Sequence, residues 1–392
     1  MRVIVVTDGI GQIDAVAAAQ TAQEGWRKAA DDELDLIPVS AGGPGFLQAL
    51  QANLPGELTV HSVTGPRGGD VPATVFVTEM GGSRTAYIEA AEACGLHLLA
   101  SKQRDPERTT TRGVAELLEA AVATGAERLV VGVGGSATND AGAGMLAALG
   151  VGSSQLLDRG PRALGEIGAA DLDFGPAREL LARVDLIVAS ATQAPLLGFS
   201  GASGKYAQTK GASREQAQEM ERALAHFADA CAEATADLPT ENPGILLTPG
   251  QPQSRIDVDQ LRGLPGSGSG GGLGFALGLL GARILSGSEV MAAAINVTQR
   301  AAQGDLVFVI TDGLDATTLG DGPIEIGVAA GSANALATIA LARRAEAGNR
   351  ELATAGISAA YELVDSVSRP GAGDDLESLR DRVSRIARSW TR

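Results

Sequence analysis

Three glycine-rich loops are the segments of this sequence best suited to bind a phosphate group. They cover residues 42–45, 134–140 and 266–274, and the second has the sequence GGSATND directly after an apolar run. Glycine-rich turns that open a helix expose backbone N–H groups beside the positive end of the helix dipole, which favours phosphate. None has the GxxxxGK[ST] spacing of a Walker A loop. Tight turns and close backbone packing remain the alternative explanation for the glycines.

Short apolar runs precede most of these loops and must position them. Such runs, rich in β-branched residues, are typical of buried parallel strands. They occur at residues 2–7, 34–39, 73–78, 128–133, 184–189 and 305–311. Helical segments alternate with them at 13–30, 113–123, 141–149 and 214–235. This alternation predicts an α/β fold with a mostly parallel sheet.

Other segments are assigned from alanine content and periodicity. Residues 86–94, 275–285 and 329–347 are predicted to be helices, and the polar segment 54–69 is predicted to be a domain boundary. Near the end of the chain, apolar residues recur at helical spacing, which predicts an amphipathic helix docked on a core. These residues are Leu376, Leu379, Val383, Ile386 and Trp390.

Composition excludes several classes of function. The 392 residues carry a net charge of −16 and only 3% aromatic side chains, so the chain lacks the charge and stacking surfaces of a nucleic-acid-binding protein. The same charge argues against binding to an anionic membrane surface. A small anionic substrate is compatible with it, because a single site can be locally positive.

Cysteine and histidine usage indicates reduced thiols and no Cys/His metal site. Cys94 and Cys231 are isolated and the three histidines are scattered, which excludes a disulfide framework and a Cys/His zinc site. The apolar run after Arg2 is too short for a signal peptide. We therefore expect a cytoplasmic protein.

Several motifs of the chain resemble, in the same order, those of the type 1 glycerate kinase family. The most specific is GGSATNDAGAGML at 134–146, which is similar to the family's GGSATNDGGAGML. Segments at 85–96, 109–117, 195–212 and 265–274 resemble its TAVIE…SGL, TTTxGxGEL, NPLLGPNGAS…QKGA and PGAGAAGGLG motifs. The resemblance covers essentially the whole chain.

The resemblance implies an activity, cofactors and a fold. The family transfers the γ-phosphoryl group of ATP to a hydroxyl of D-glycerate, so ATP and Mg²⁺ are the implied cofactors and a nucleotide and a small hydroxy acid the implied partners. It also implies two α/β domains. The discontinuous one would comprise residues 1–64 and 285–392, and the inserted one, residues 65–284, would carry the GGSATND loop.

Charged and polar groups of the family motifs are replaced at several positions of this chain. Mg²⁺ is bound by carboxylate oxygens, the acceptor hydroxyl needs a base, and phosphates are held by cations. Loss of several such groups together predicts impaired phosphoryl transfer. The replaced family residues and their positions are Asp at Ala41, Glu at Pro44, Asp at Ala191, Asn at Ala194 and Lys at Gly322, and no lysine follows Asp8.

Two hypotheses follow for the function. In the first, a weak or impaired glycerate kinase works with relocated groups; in the second, the chain is an inactive pseudokinase that binds a ligand or regulates a partner. The candidate catalytic carboxylates are Asp8, Asp140, Asp312 and Asp315. The candidate substrate and nucleotide ligands are Gly42, Gly43, Gly134, Gly135, Ser136, Thr138, Asn139, Lys210, Gly266 and Gly268. Metal ligands and oligomeric state are not assigned.

Each charged candidate also has a structural explanation. Asp140 can cap the helix after it, Asp8 can end a strand, and Asp315 can cap a loop. Lys210 can be an ordinary surface charge. If the functional hypothesis holds, a cleft between the domains is expected to be lined by Asp8, Gly42, Gly135, Asn139, Asp140, Lys210, Gly268 and Asp312.

Overall fold

The protein is an α/β structure, here a computed structural model that describes residues 1–80, 82–236, 238, 257–316, 318–320, 322–363 and 376–391. The strands are β1 (Arg2–Thr7), β2 (Glu33–Pro38), β3 (Glu57–Thr64), β4 (Asp70–Met80), β5 (Ser83–Glu89), β6 (Arg128–Val133), β7 (Asp185–Ser190), β8 (Arg283–Ser286), β9 (Leu306–Leu314), β10 (Ala337–Ala345) and β11 (Ala359–Glu362).

Helices cover the sheets and connect most of the parallel strands. They are α1 (Ala15–Arg27), α2 (Phe46–Asn53), α3 (Ala90–Cys94), α4 (Arg112–Ala123), α5 (Ala143–Ala148), α6 (Ser154–Leu157), α7 (Gly175–Leu181), α8 (Ala202–Tyr206), α9 (Arg214–Thr235), α10 (Val258–Gly263), α11 (Ser269–Leu279), α12 (Gly287–Ala294), α13 (Val297–Ala301), α14 (Gly322–Ala333), α15 (Asn349–Thr354) and α16 (Leu376–Trp390). Within the described ranges, no helix is both long and apolar enough to cross a bilayer.

The first of two compact units combines both ends of the chain: Met1–Ala41, Gly45–Leu54 and Ser288–Arg392. Its sheet has the order β11-β10-β9-β1-β2, and all neighbouring strands are parallel. β1 lies between β2 and β9, which explains its continuous apolar run, since both faces of a central parallel strand are buried.

A core in this unit joins the sheet to the terminal helix. The ring centroids of Trp26 in α1 and Phe308 in β9 are 5.6 Å apart. Leu379, Val383 and Ile386 of α16 are buried in the same cluster. Most of the amphipathic stripe near the end of the chain is therefore core, as its spacing predicts, while Leu376 at the start of the helix is exposed.

The second unit comprises Gly42–Pro44 and Pro55–Gly287. Its sheet has the order β3-β4-β5-β6-β7-β8, in which β3-β4 and β4-β5 are antiparallel and the remaining pairs are parallel. The fold class predicted from the sequence, α/β with mostly parallel helix-covered sheets, is confirmed.

Several element assignments made from the sequence were wrong. Segment 54–69 contains β3, which pairs with β4 of the second unit, and the boundary between the two units lies at the start of this segment, between Leu54 and Pro55. Residues 83–89 form β5, and only Ala90–Cys94 is helical. Residues 337–345 form β10, and 283–286 form β8. In β5, β8 and β10, pairing with a neighbouring strand overrides the helical preference that the sequence pattern indicated.

Candidate functional site

The GGSATND loop joins β6 to α5 at the carboxyl ends of the parallel strands of the second unit. This edge is where open α/β sheets bind ligands. Most of the loop is nevertheless enclosed: Gly134, Ser136, Thr138 and Asn139 are buried, and only Gly135 is exposed. Much of the motif thus forms the interior support of the edge rather than its surface.

Asp140 is the centre of this support. Its Oδ2 accepts hydrogen bonds from the Thr111 N–H at 3.1 Å, the Thr111 hydroxyl at 2.8 Å and the Gly144 N–H at 3.2 Å. Its Oδ1 accepts from the Gly142 N–H at 3.1 Å. Burial raises the pKa of the Asp140 carboxyl, and these four donors pull the pKa in the opposite direction. The carboxylate thereby ties the start of α4 to the start of α5.

Lys210 lies inside the protein and not on its surface. Its Nζ donates to the Ser136 hydroxyl at 3.2 Å and to the Thr138 carbonyl, so it holds the loop from within. Burial lowers the pKa of Lys210 to about 8, while the neighbouring Cys94 and Asp140 favour the charged form. The explanation of Lys210 as a surface charge is therefore wrong.

Replacing this lysine should change how stability depends on pH. Because the pKa of Lys210 falls from 10.5 to about 8 on folding, the unfolded chain binds more protons between these values. Wild-type stability then gains from this residue as pH rises through that window, by up to about 1.4 kcal/mol per pH unit. We expect Lys210→Met to be less stable by about 1–3 kcal/mol near neutral pH, with a gap that widens up to pH 10.5.

Urea unfolding at a series of pH values measures this gap. The buried Cys94 thiol, whose pKa is raised to about 12, stays protonated in both folded proteins up to pH 10.5, so its contribution nearly cancels in the difference. A gap that stays constant or narrows with rising pH would mean that Lys210 keeps its full charge in the folded protein.

The loop at 266–274 packs against the GGSATND loop. The Ser269 hydroxyl donates to the Val133 carbonyl at 2.5 Å, and the Ala141 N–H donates to the Gly271 carbonyl at 2.9 Å. Gly271 has a φ of +72°, and a Cβ there would lie 2.1 Å from the Thr138 carbonyl oxygen. Close packing, the alternative named for these glycines, accounts for this position.

Gly271→Ala should therefore destabilise the second unit. Gly150 offers a matched control, because it also has a positive φ, +81°, but no atom lies within 4 Å of the position of a Cβ. Gly150→Ala carries only the backbone strain, whereas Gly271→Ala also forces the two loops apart. We expect Gly271→Ala to cost about 1–3 kcal/mol more than Gly150→Ala in urea unfolding. Equal costs would contradict the packing explanation.

The Asn139 side chain lies in the interior of the second unit, beside Ser203 and Met220. Its amide nitrogen donates to the Ser203 hydroxyl at 3.0 Å and lies 3.6 Å from the Met220 sulfur. Its side-chain oxygen is buried with no hydrogen-bond partner among the described residues. Asn139 thus links the loop to α8 and α9.

The accessible surface at this edge is formed by two segments that touch the glycine turn. A Cβ at Gly134 would lie 2.5 Å from the Ala191 methyl carbon, and one at Gly135 would lie 2.5 Å from the Pro44 ring. Ala191 is half-buried and Pro44 is exposed. Two positions where the resemblance to the family motifs implies an Asp and a Glu are therefore neighbours of one turn, and both carry uncharged residues here.

The remaining candidate carboxylates belong to the first unit. Asp312 accepts a two-point ion pair from Arg343, with Nε–Oδ1 at 2.7 Å and Nη2–Oδ2 at 2.9 Å, and Arg343 lowers the pKa of Asp312. Asp315 accepts from the Thr318 N–H at 3.1 Å, as a loop cap does. Asp8 is half-buried, follows β1, and accepts from the Gly9 N–H at 2.7 Å.

The structure thus brings most predicted ligands together within the second unit and places Asp8, Asp312 and Asp315 in the first. That all of them line one cleft stays a prediction. Gly42, Gly266 and Gly268 are buried, and a Cβ at Gly42 would lie 2.3 Å from the Ala189 carbonyl oxygen. Arg343 could not be found from the sequence, because the helix predicted over 329–347 covers β10. The role of Ser269 depends on contacts between segments that are distant in sequence.

The described residues do not form a ready-made Mg²⁺ site. Among the described residues no group of three His, Cys, Asp or Glu side chains could share a metal ion. Asp140 is surrounded by donors and Asp312 is held by an arginine, and both arrangements compete with a cation. A Mg²⁺ ion that arrives with nucleotide phosphates needs only one or two protein carboxylates.

Comparison with known proteins gives a consistent result over the whole chain. A model of the glycerate kinase family matches residues 3–391. The chain is 32% identical to the glycerate kinase of Bacillus subtilis strain 168 over 99% of this chain and 96% of the relative. It is 33% identical to glycerate 2-kinase of Escherichia coli K12 over 84% and 81%. A crystal structure described as glycerate kinase 2 from Salmonella typhimurium LT2 superposes with a TM-score of 0.73, at 27% identity, covering 99% of this chain and 96% of that one.

Proposed function

Because the chain belongs to the glycerate kinase family, we propose that it binds ATP and a small hydroxy acid of the glycerate class and transfers the γ-phosphoryl group to a hydroxyl of that acid, with low turnover. Family membership supports the reaction. The low turnover is inferred from this chain's own residues.

The observation that carries the inference is the uncharged surface around the glycine turn. Pro44 and Ala191 contact Gly135 and Gly134, and they occupy positions where the family has acidic side chains. Phosphoryl transfer depends on positioned charge more than on covalent chemistry. Replacement of two neighbouring acidic groups at one turn therefore reduces catalysis more than scattered substitutions do.

Asp8 is the carboxylate best suited to accept the proton of the substrate hydroxyl. It follows β1, while Asp312 lies in the neighbouring strand β9. Arg343 stabilises the ionised form of Asp312 and so makes it a weaker base. Asp140 is enclosed by four donors, so we assign it to positioning the loop instead.

A second candidate function is ligand binding without turnover. The same uncharged turn favours it, since the buried support of the GGSATND loop keeps its shape while the acidic groups are missing. Such a protein would bind nucleotide or hydroxy acid as a regulatory or scaffold subunit.

Ligand-dependent thermal unfolding together with ³¹P NMR separates the two functions. MgATP and D-glycerate are added separately; a ligand at 100 times its dissociation constant stabilises a protein by about 2.7 kcal/mol. Stabilisation by both ligands together with slow formation of phosphoglycerate supports the kinase. Stabilisation without any product supports the non-catalytic binder, and no stabilisation by either ligand contradicts both.

A further inference from the structure

β3 forms one edge of the six-stranded sheet of the second unit, and one face of this strand carries exposed apolar side chains. Among the described residues no strand pairs with the outer edge of β3. Val60 is 65% exposed and Leu58 is 45% exposed. Natural edge strands are usually protected by lysine, proline or a bulge. β3 contains neither lysine nor proline, and it pairs with β4 in unbroken register.

The direction of its peptide groups follows from the hydrogen bonds at the end of the strand. The Gly65 N–H donates to the Gly69 carbonyl across the β3-β4 hairpin, whereas the Thr64 N–H turns outward to the Glu116 carboxylate. Peptide groups alternate in direction along a strand. Those of Leu58, Val60 and Ser62 therefore point away from β4, and none of the described residues is hydrogen-bonded to them.

One antiparallel register makes this edge complementary to itself. With Thr59 of each copy on a two-fold axis, Leu58 lies opposite Val60 of the other copy, and Glu57 lies opposite His61. Leu58 and Val60 would form hydrogen-bonded pairs through their outward peptide groups, four bonds in all, while the two Thr59 residues form a non-hydrogen-bonded pair. Cross-strand pairs of complementary side chains each stabilise a sheet by about 0.2–1 kcal/mol.

We propose that a second copy of this chain pairs along the β3 edge in this register, which joins two six-stranded sheets into one continuous sheet. A second copy fits this edge because apolar residues oppose apolar residues and the Glu57 carboxylate opposes the His61 imidazole, which can donate a hydrogen bond to it. The glycine loops at the carboxyl ends of the parallel strands are not part of this edge.

Sedimentation analysis of the full-length chain over a concentration series tests the dimer. We expect twice the 39.6 kDa chain mass for the wild type. Val60→Lys and Val60→Pro should be monomeric, because the first places a charge in the apolar pair and the second removes an outward N–H that the monomer does not use. Leu180→Lys is the matched control. Leu180 is also an exposed apolar residue, 37% exposed, and it lies in α7 rather than in β3.

Disulfide crosslinking tests the register. In a non-hydrogen-bonded antiparallel pair the Cα atoms lie about 4.5 Å apart, within the range of a disulfide. Thr59→Cys should therefore give an oxidised dimer on a non-reducing gel, and His61→Cys, which faces Glu57, should give much less. Cys94 and Cys231 are buried and do not interfere.

The proposal is overturned if the wild type is a monomer at every concentration, if it forms assemblies larger than a dimer, or if both Val60 variants remain dimeric. Equal crosslinking of Thr59→Cys and His61→Cys would overturn the register. Thermal melts of both Val60 variants show whether loss of the dimer is separate from loss of folding.

Discussion

Purified wild-type protein is expected to phosphorylate D-glycerate at least about 100-fold more slowly than a family member with the complete acidic motifs. The reason is local: the turn at Gly134 and Gly135 is lined by Ala191 and Pro44. General bases and charge-stabilising groups each contribute roughly 10²–10⁴-fold to rate. A coupled assay of ADP release, with D-glycerate omitted as the blank, measures the difference.

Restoring one acidic group should recover little of this rate. Groups that act as a unit are strongly non-additive, so each is ineffective until the others are present. Ala191→Asp alone is therefore expected to remain nearly inactive. The triple variant Ala41→Asp, Pro44→Glu and Ala191→Asp should regain part of the activity.

The matched control for the triple variant carries amides instead of acids: Ala41→Asn, Pro44→Gln and Ala191→Asn. It has nearly the same shape without the charge, so recovery by the acids alone would assign the effect to the carboxylates. Wild-type turnover near the typical enzyme value of about 10 s⁻¹ would contradict the proposal of low turnover. In that case groups already present would carry the turnover, and Asp8 would be the first residue to substitute.

Much of the fold could be predicted from the sequence because the central strands carry continuous apolar runs. β1, β6, β7 and β9 are each buried along nearly their whole length, and the apolar residues in their sequences indicate this burial. The amphipathic stripe of α16 was equally informative. Burial on both faces of a strand, or on one face of a helix, leaves a pattern that needs no knowledge of the neighbours.

Strands with polar or alanine-rich sequences could not be predicted in the same way. β10 contains ATIALARRA, which fits a helix as well as a strand, and only its pairing with β9 decides. The exposed edge strand β3 has no buried face over most of its length. The Asp312–Arg343 ion pair was hidden for the same reason, since Arg343 meets Asp312 only if both lie on neighbouring strands.

The purpose of each glycine in the candidate site could not be predicted from the sequence, for a different reason. Glycine-rich loops that bind phosphate and those that allow close packing have the same composition. Gly271 and Gly42 are glycines because carbonyl oxygens of neighbouring segments occupy the space of a Cβ, whereas Gly135 is exposed. Which glycine serves which purpose depends on contacts between segments that are distant in sequence.

Asp140 gives the largest expected effect on stability, and it distinguishes a positioning carboxylate from a catalytic one. Asp140→Ala leaves the Thr111 hydroxyl and the N–H groups of Thr111, Gly142 and Gly144 without their acceptor. It also removes a negative neighbour of the buried Lys210. Breaking such a buried charged network costs about 3–5 kcal/mol. Urea unfolding of wild type and variant measures the loss.

The stability of Asp140→Asn should lie between that of the wild type and that of Asp140→Ala. The amide keeps one oxygen, but its NH₂ group faces an N–H donor whichever way it is turned, since donors surround both carboxylate oxygens. Asp229→Ala is the control, because Asp229 forms an ion pair with Arg262 at 2.9 Å but its side chain is 71% exposed, and such surface pairs are worth about 0–1 kcal/mol. If Asp140→Ala instead unfolds like wild type while turnover is abolished, the carboxylate acts on the substrate and our assignment of Asp140 to positioning is wrong.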